Sequence, residues 1–346
     1  MSLTNAQLAE LLAGAAEEQD SGSNRHKALR RASRAAFFWP EEASALVDRG
    51  GSPTELRSVG PWLGGVLGTW LSSVDPPEPP EPPEIRRGFL TLAEVRSTLE
   101  AHDTWRTGIR GDLQMHTTYS DGRDPLRGMV AAAADLGYEY VAITDHSKGL
   151  AIAKGMDEAR LAAEGDDIAA VNRELERDGA SIRVLSSIEM NLSPEGQGDM
   201  EPEALRRLDL VLGAFHSKLR ALDDQTERYV AALRNPEVHV LAHPRGRRFN
   251  VRLGLHADWP RVFEEAARMD KALEIDAYPD RQDLDVGLLS LARETGVRIS
   301  IGTDAHSTAE LMFMEFGLAA AVRAGIPQER ILNFMSRQDL LEWASR

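Results

Sequence analysis

Short apolar runs recur through the second half of the chain, and each breaks on a histidine, glutamate or aspartate. The segments are RGDLQMH ending at His116, EYVAITDH at His146, IRVLSSIE at Glu189 and DLVLGAFH at His216. VHVLAH follows, ending at His243, then ALEID at Asp276 and VRISIGTDAH at Asp304 and His306. Continuous rather than alternating apolarity marks strands buried on both faces, as in a parallel sheet. Helical periodicity fills the gaps in PLRGMVAAAADLGY, DEARLAAEGDDIAAVNRELERDG and PRVFEEAARMD. Gly137, Gly179 and Gly296 stand where helices should stop. His116 to His146 is 30 residues, His146 to Glu189 is 43, and the steps to His216 and His243 are 27 each. The 61 residues from His243 to Asp304 hold two steps, with ALEID between them. About 30 residues is one strand–helix–strand unit. The pattern predicts an α/β fold, a seven-stranded barrel with its chemistry at the C-terminal ends of the strands.

The first part of the chain reads differently. TNAQLAELLAGAAEE has apolar residues at helical spacing behind a Thr4 or Asn5 cap, and residues 1–74 as a whole read as helices. DPPEPPEPPE opens a proline-rich acidic linker, residues 75–86, expected to be extended and stiff. Residues 87–346 begin with a short helix, TLAEVRSTLEAHD, and continue into the barrel. The proline run is the expected domain boundary.

Composition narrows the chemistry. With 346 residues, 42% hydrophobic and 27% charged, the chain is an ordinary globular protein of one or two domains. It has no cysteine, which removes disulfides, thiolate metal sites and a cysteine nucleophile. A metal must therefore sit on His, Asp and Glu, a donor set suited to Zn²⁺, Mn²⁺ or Fe²⁺. No stretch approaches the roughly 20 apolar residues of a membrane span. The amino terminus carries acids where a signal peptide would be basic, so a cytoplasmic location and no membrane partner are expected. The net charge of -15 argues against a broadly basic nucleic-acid surface but leaves local patches open, since charges act within about 8–10 Å in physiological salt.

Six ordered motifs, DLQMHTTYSDG, ITDHSKG, SIEMN, GAFHSK, AHPRGR and IGTDAHS, together resemble the PHP (polymerase and histidinol phosphatase) domain over about residues 110–346. With the stretch EIDAYPDRQDL, the resemblance is strongest to the PHP domain at the C-terminus of bacterial family X DNA polymerases. It implies a distorted seven-stranded (β/α) barrel, a trinuclear metal centre and phosphoester hydrolysis. The implied ligands are Gln114, His116, Asp121, His146, Glu189, His216, His243, Asp304 and His306. Gln114 departs from the family's His-x-His, and a neutral amide oxygen is a poor ligand beside imidazole. One metal position is therefore expected to be weakened, giving two or three ions per chain. The implied mechanism has two ions bridged by Glu189 activating a water in line with phosphorus, with His216 or His306 protonating the leaving group.

Cations near these motifs are candidates for the substrate phosphate. Lys148 and Lys218 each lie two residues past a histidine, and Arg245 and Arg247 follow His243. Arg247 matches the arginine of the family's His-Pro-x-Gly-Arg, which makes it a catalytic candidate as well. The alternative is an ion pair with Asp280 or Asp283.

PTELRSVGPWLGGVLGTWL resembles one helix-hairpin-helix, a motif whose turn donates backbone N–H groups to a DNA phosphate, here from Val59 and Gly60. With NRHKALRRASRAAFF it is similar to the small all-α domain that begins family X polymerases, although Ser58-Val59-Gly60 keeps only one of the two usual glycines. Arg30, Arg31 and Arg34, with Arg25 and Lys27, place five cations on ten residues without an acid. The polymerase palm would fall where only the proline run stands, so nucleotide addition is not expected. No lysine lies between Lys27 and Lys148, so none in the hairpin could form a Schiff base. The resulting expectation is a metal-dependent phosphoesterase on DNA ends, of exonuclease or 3′-phosphatase type. The alternatives are a small-molecule phosphatase of the histidinol-phosphatase type and a non-catalytic DNA-end binder with a structural metal.

Overall fold

A computed structural model describes residues 2–345. The chain divides into two compact units, Met1–Ala101 and His102–Arg346. The first is helical, with α1 (Asn5–Glu17), α2 (Asn24–Ala36), α3 (Ala43–Asp48), α4 (Pro61–Ser72) and α5 (Leu92–Glu100). Thr4 caps α1 through a capping box with Gln7, and Thr91 caps α5 through one with Glu94. Leu8, Leu12, Leu29, Trp39, Leu46, Leu63 and Leu67 form one core cluster within the unit.

The boundary lies later than the proline run suggests. Arg86, just past the prolines, donates from Nε to Glu10 of α1 at 2.9 Å and forms a half-buried ion pair with it at 2.5 Å. The Leu92 amide donates to the Phe37 carbonyl at 2.8 Å. The proline segment and α5 are thereby tied to the helical unit, and the segment is a strap on that unit instead of a spacer leading to the barrel.

The second unit has seven strands among the described residues. They are β1 (Gly111–Met115), β2 (Tyr140–Ile143), β3 (Arg183–Asn191), β4 (Leu210–Ala214), β5 (Val240–Ala242), β6 (Ala272–Asp276) and β7 (Arg298–Gly302). All pair in parallel and in sequence order. Helix α6 (Thr104–Gly108) precedes β1, and between successive strands run α7 (Leu126–Asp135), α8 (Glu158–Arg177), α9 (Pro202–Leu205), α10 (Thr226–Arg234), α11 (Trp259–Arg268) and α12 (Val286–Thr295). Gly137, Gly179 and Gly296 sit at positive φ of 81°, 71° and 79°, in the left-handed turns that end α7, α8 and α12. Alternation along β2 separates two cores. Val141 and Ile143 join Met129 and Val130 of α7 and Ile168 of α8, while Tyr140 and Ala142 join Leu212, Ala242, Leu332 and Trp343.

The sheet closes on itself between β1 and β7. At the end carrying the histidines, the His116 amide donates to the Ala305 carbonyl at 2.8 Å and the Asp304 amide to the Gln114 carbonyl at 3.1 Å. Further down the seam a buried side chain completes the closure. Asn333 Nδ2 donates to the carbonyls of Gly111 (2.9 Å) and Ile301 (2.8 Å), and Asn333 Oδ1 accepts from the Ile301 amide at 2.8 Å. The expected distorted seven-stranded (β/α) barrel is present, preceded by an all-α unit.

Candidate metal centre

Seven strands deliver their polar ends to one place, and Glu189 stands at its middle. Its carboxylate is 1% exposed, and four imidazoles surround it. His243 Nε2 is 2.7 Å and His216 Nε2 3.1 Å from Oε1, while His146 Nδ1 is 3.2 Å and His116 Nε2 3.3 Å from Oε2. A second layer connects to these. His116 Nε2 lies 3.0 Å from Asp304 Oδ1, and Asp121 Oδ1 lies 3.5 Å from His146 Nε2 and 3.3 Å from His306 Nε2. Eight of the nine expected donors converge.

Gln114 is the ninth, and it is engaged elsewhere. With the amide assigned in the orientation that satisfies both groups, its buried nitrogen donates to both carboxylate oxygens of Glu274, at 2.7 and 2.9 Å. The contact depends on Gly302, where a Cβ would come within 2.5 Å of the Gln114 Cβ. Gln114 is thus a partner of Glu274, and its amide nitrogen is turned to a carboxylate.

The donors fall into three overlapping groups whose ligand atoms lie within 4.8 Å of one another. These are His116, Asp121, His146 and His306; His146, Glu189 and His216; and His116, Glu189 and Asp304. Buried His116 Nδ1 and His146 Nδ1 have no hydrogen-bond partner. Imidazole and carboxylate without thiolate is the donor set of Zn²⁺, Mn²⁺ or Fe²⁺, so the residues present fit divalent ions.

The electrostatics agree with ligation. Burial pushes His146 down to about 4, against the pull of Glu189, so its ring is neutral with lone pairs available. Burial raises Glu189, but the surrounding His146 and His243 outweigh it and hold the carboxylate well below its ordinary range. His306 goes the other way. Burial lowers it, but the Asp121 hydrogen bond and the Asp304 and Asp121 charges push it up to about 9.

Residues other than the expected ligands position this set. Asn191 Oδ1 faces His216 Nδ1 at 3.1 Å and fixes the ring. The Asp145 carboxylate accepts from the Thr117 amide (2.9 Å), the Ser120 amide (3.1 Å) and both hydroxyls, which shapes the loop carrying Asp121. Arg281 Nη2 lies 3.1 Å from Asp304 Oδ2, with Nε 3.5 Å from buried Asp276. Asn191, Arg281 and Asp145 stand inside the motifs SIEMN, EIDAYPDRQDL and ITDHSKG, which was the available signal.

The cations expected at the phosphate are placed otherwise. Arg245 Nη1 and Arg247 Nη1 both pair with Asp285 Oδ2, at 2.7 and 2.8 Å, and Arg247 is buried. Lys148 pairs with Glu158 at 2.6 Å. None of these three lines the cavity over the histidines, nor does exposed Lys218; its arginines are Arg252 and Arg281. Both arginines of AHPRGR buttress the loop after β5 by sharing Asp285, which disagrees with a phosphate role for Arg245 and a catalytic one for Arg247.

In the helical unit, Arg25, Lys27, Arg31 and Arg34 are exposed on α2, and Arg30 pairs with Glu17 at 3.0 Å. Val59 cannot donate to an outside phosphate as expected, because its amide already bonds the Leu56 carbonyl at 3.2 Å and its side chain is in the core. Gly60 is exposed and opens α4 with no side-chain cap. Ser58 takes a left-handed φ of 68° in the turn before it.

A seven-stranded parallel barrel with a histidine–carboxylate cluster at the strand ends defines a metal-binding (β/α) barrel of hydrolase type. The PHP domain family matches residues 112–275, so the barrel unit carries a PHP domain. The chain is 36% identical over 239 residues to the DNA polymerase/3′-5′ exonuclease PolX of Bacillus subtilis, a match covering 69% of this chain and 41% of that protein. It therefore spans about two fifths of that relative. A probable phosphatase of Serratia proteamaculans is 27% identical over 246 residues, covering 68% of this chain and 94% of the phosphatase. Among solved structures it is similar to the histidinol phosphate phosphatase of Lactococcus lactis bound to zinc, L-histidinol and phosphate. That match has a TM-score of 0.45 at 16% identity and covers 63% of this chain and 94% of that one. No helix among the described residues is long and apolar enough to cross a membrane.

Proposed function

We propose that this chain hydrolyses phosphoesters at DNA ends, as an exonuclease or 3′-phosphatase, with the helical unit binding the DNA. His116, Asp121 and His306 would hold one divalent ion and His146, Glu189 and His216 a second, with Asp304 beside Glu189 offering carboxylate oxygen to a weaker third. Bound there, Zn²⁺, Mn²⁺ or Fe²⁺ supplies Lewis acidity and an acidified water. Glu189 stays ionised and joins the positions, His243 and Asn191 hold its neighbours in register, and Arg281 keeps Asp304 ionised. His306 stands in the cavity wall, its Nδ1 donating to the Asp304 carbonyl at 2.7 Å and its Nε2 turned toward Asp121, which orients the ring as a ligand.

The observation that carries the DNA assignment is the surface of the helical unit. The Arg25 guanidinium lies over the exposed Trp62 ring, 5.2 Å from its centroid, which joins the basic face of α2 to the open start of α4. Cations on a helix face beside a free helix N-terminus suit a phosphate backbone. The PolX similarity supports the same reading. A small-molecule phosphatase is the second reading, favoured by the net charge of -15 and a cavity of only about 300 Å³.

Short oligonucleotides with 3′-hydroxyl or 3′-phosphate ends, histidinol phosphate and glycerol phosphate, each with Mn²⁺ or Zn²⁺, separate these readings. The proposal expects turnover of oligonucleotides, a steep fall in DNA affinity with salt, and loss of turnover in His146→Ala and Glu189→Ala. Turnover of small monoesters alone, with salt-independent kinetics, rejects DNA as the substrate.

A further inference from the structure

The wall of the cavity is not uniform, and its asymmetry is informative. One side is apolar. The chain leaves β2 through His146 and turns back on itself, with the Met156 amide donating to the His146 carbonyl at 2.7 Å. Gly155 permits this closure, since a Cβ there would meet the Ser147 carbonyl oxygen at 1.9 Å. The turn carries Leu150, Ile152 and Ala153 into the cavity lining, and Leu219 faces them from the loop after β4. Ile152 is 92% exposed. A lone exposed isoleucine is ordinary, but Ile152 together with Leu150, Ala153, Phe215 and Leu219 gives the cavity a continuous apolar wall.

The other side is cationic. Arg252 lines the cavity, and its charge environment is dominated by Arg281, Arg248 and Arg220. Arg281 and Arg248 are neutralised by Asp304 and Asp280. Arg252 is not: its Nε donates to the Gly246 carbonyl, and no ion pair reaches its terminal nitrogens among the described contacts. Arg220 is exposed and likewise carries no described ion pair. In a chain of net charge -15, unneutralised guanidiniums at the mouth of an acid-rich site call for an anion from outside.

We infer that the cavity holds the terminal nucleotide of a single DNA strand, its base against Ile152 and Leu150, the phosphate that links it to the strand facing the histidine cluster, and the next internucleotide phosphate on Arg252. This deepens the DNA-end reading and rests on it. A cavity of about 300 Å³ accommodates one nucleotide, while the neighbouring phosphate remains at the rim. An apolar contact is indifferent to base identity, as in other single-strand sites, so cleavage is sequence-tolerant. A small polar alcohol as leaving group would leave the isoleucine without a role.

The test compares ratios within one enzyme. An oligonucleotide with a normal terminal nucleotide is set against the same strand ending in an abasic tetrahydrofuran residue. The wild type should prefer the base-bearing end in kcat/KM. Ile152→Ala should shrink that preference about 5–20-fold by removing apolar contact with the base, and Ile152→Leu should retain it. Arg252→Gln should cut the preference for an oligonucleotide over a nucleoside p-nitrophenyl phosphate, which lacks the neighbouring phosphate, by about tenfold or more. Both side chains are exposed or half-buried, and unchanged melting temperatures confirm folding. Equal rates on base-bearing and abasic ends, or an Arg252→Gln effect shared by both phosphodiesters, overturn this inference and leave the DNA-end reading intact. Hydrolysis of glycerol phosphate without any oligonucleotide cleavage overturns both.

Discussion

Asn333→Ala should weaken the barrel more than its single small side chain suggests. The wild-type amide makes three buried hydrogen bonds, two to carbonyls on β1 and β7 and one from the Ile301 amide. Removing it leaves these backbone groups inside the seam without partners, and each buried unsatisfied group costs about 1–3 kcal/mol. Partial rescue by water lowers the total to about 3–6 kcal/mol. For a unit of this size each kcal/mol moves Tm by about 2–4 °C, so calorimetry should record a fall of about 6–24 °C. A second readout separates seam loss from general damage. His116 rides on the end of β1 and Asp304 on the end of β7, 3.0 Å apart, so a looser seam should also lower the metal retained after dialysis. Asn333→Asp keeps the acceptor but turns a charge toward two carbonyls, and should be no better than alanine. A Tm within about 2 °C of wild type, with metal content unchanged, would refute the role given to Asn333.

Gln114→His should raise metal bound per chain, measured by elemental analysis, because it exchanges an amide committed to Glu274 for an imidazole; unchanged stoichiometry would show that Glu274 and Gly302 leave no room for a further ion. Arg30→Glu with Arg31→Glu should lower oligonucleotide affinity and its salt dependence while hydrolysis of glycerol phosphate continues; equal loss on both would remove DNA binding from α2. His239 is pushed down to about 4, first by burial and then by Lys271, and its Nδ1 accepts from the Val211 amide at 3.0 Å. The unfolded chain takes up this proton near its ordinary value of about 6.5 and the folded chain refuses it, so stability falls between pH 6.5 and 4 by roughly 2–3 kcal/mol and then levels off. Urea titrations of His239→Gln across that range should show a shallower slope than wild type, and parallel slopes would dismiss the effect.

Much of the barrel was legible because buried parallel strands leave an unambiguous trace, an apolar run ending at a polar residue. His116, His146, Glu189, His216, His243 and Asp304 all sit at such ends, and their meeting follows from closing seven strands. Asp121 and His306 came through the family motifs. The loops were less readable. Arg245 and Arg247 follow a site histidine directly in sequence, yet both reach Asp285, about 40 residues on, because the loop after β5 packs on the start of α12. Arg252 and Ile152 belong to no periodic pattern, since a rim position is set by loop geometry. Gln114 was recognised as out of place, but its partner Glu274 lies on β6, across β7 from β1 in the closed barrel, a contact only closure creates.

The strap formed by the proline segment decides where the two halves can be separated. A barrel fragment cut within that run would carry away a helix fastened to Phe37 by its first amide and discard the side chain that Arg86 grips. Leu92, Val95 and Leu99, buried in the whole chain, would travel with that fragment. Severing after Ala101 keeps each piece with its own fastenings, so the durable place to divide this protein is an unremarkable turn and not the conspicuous run of prolines.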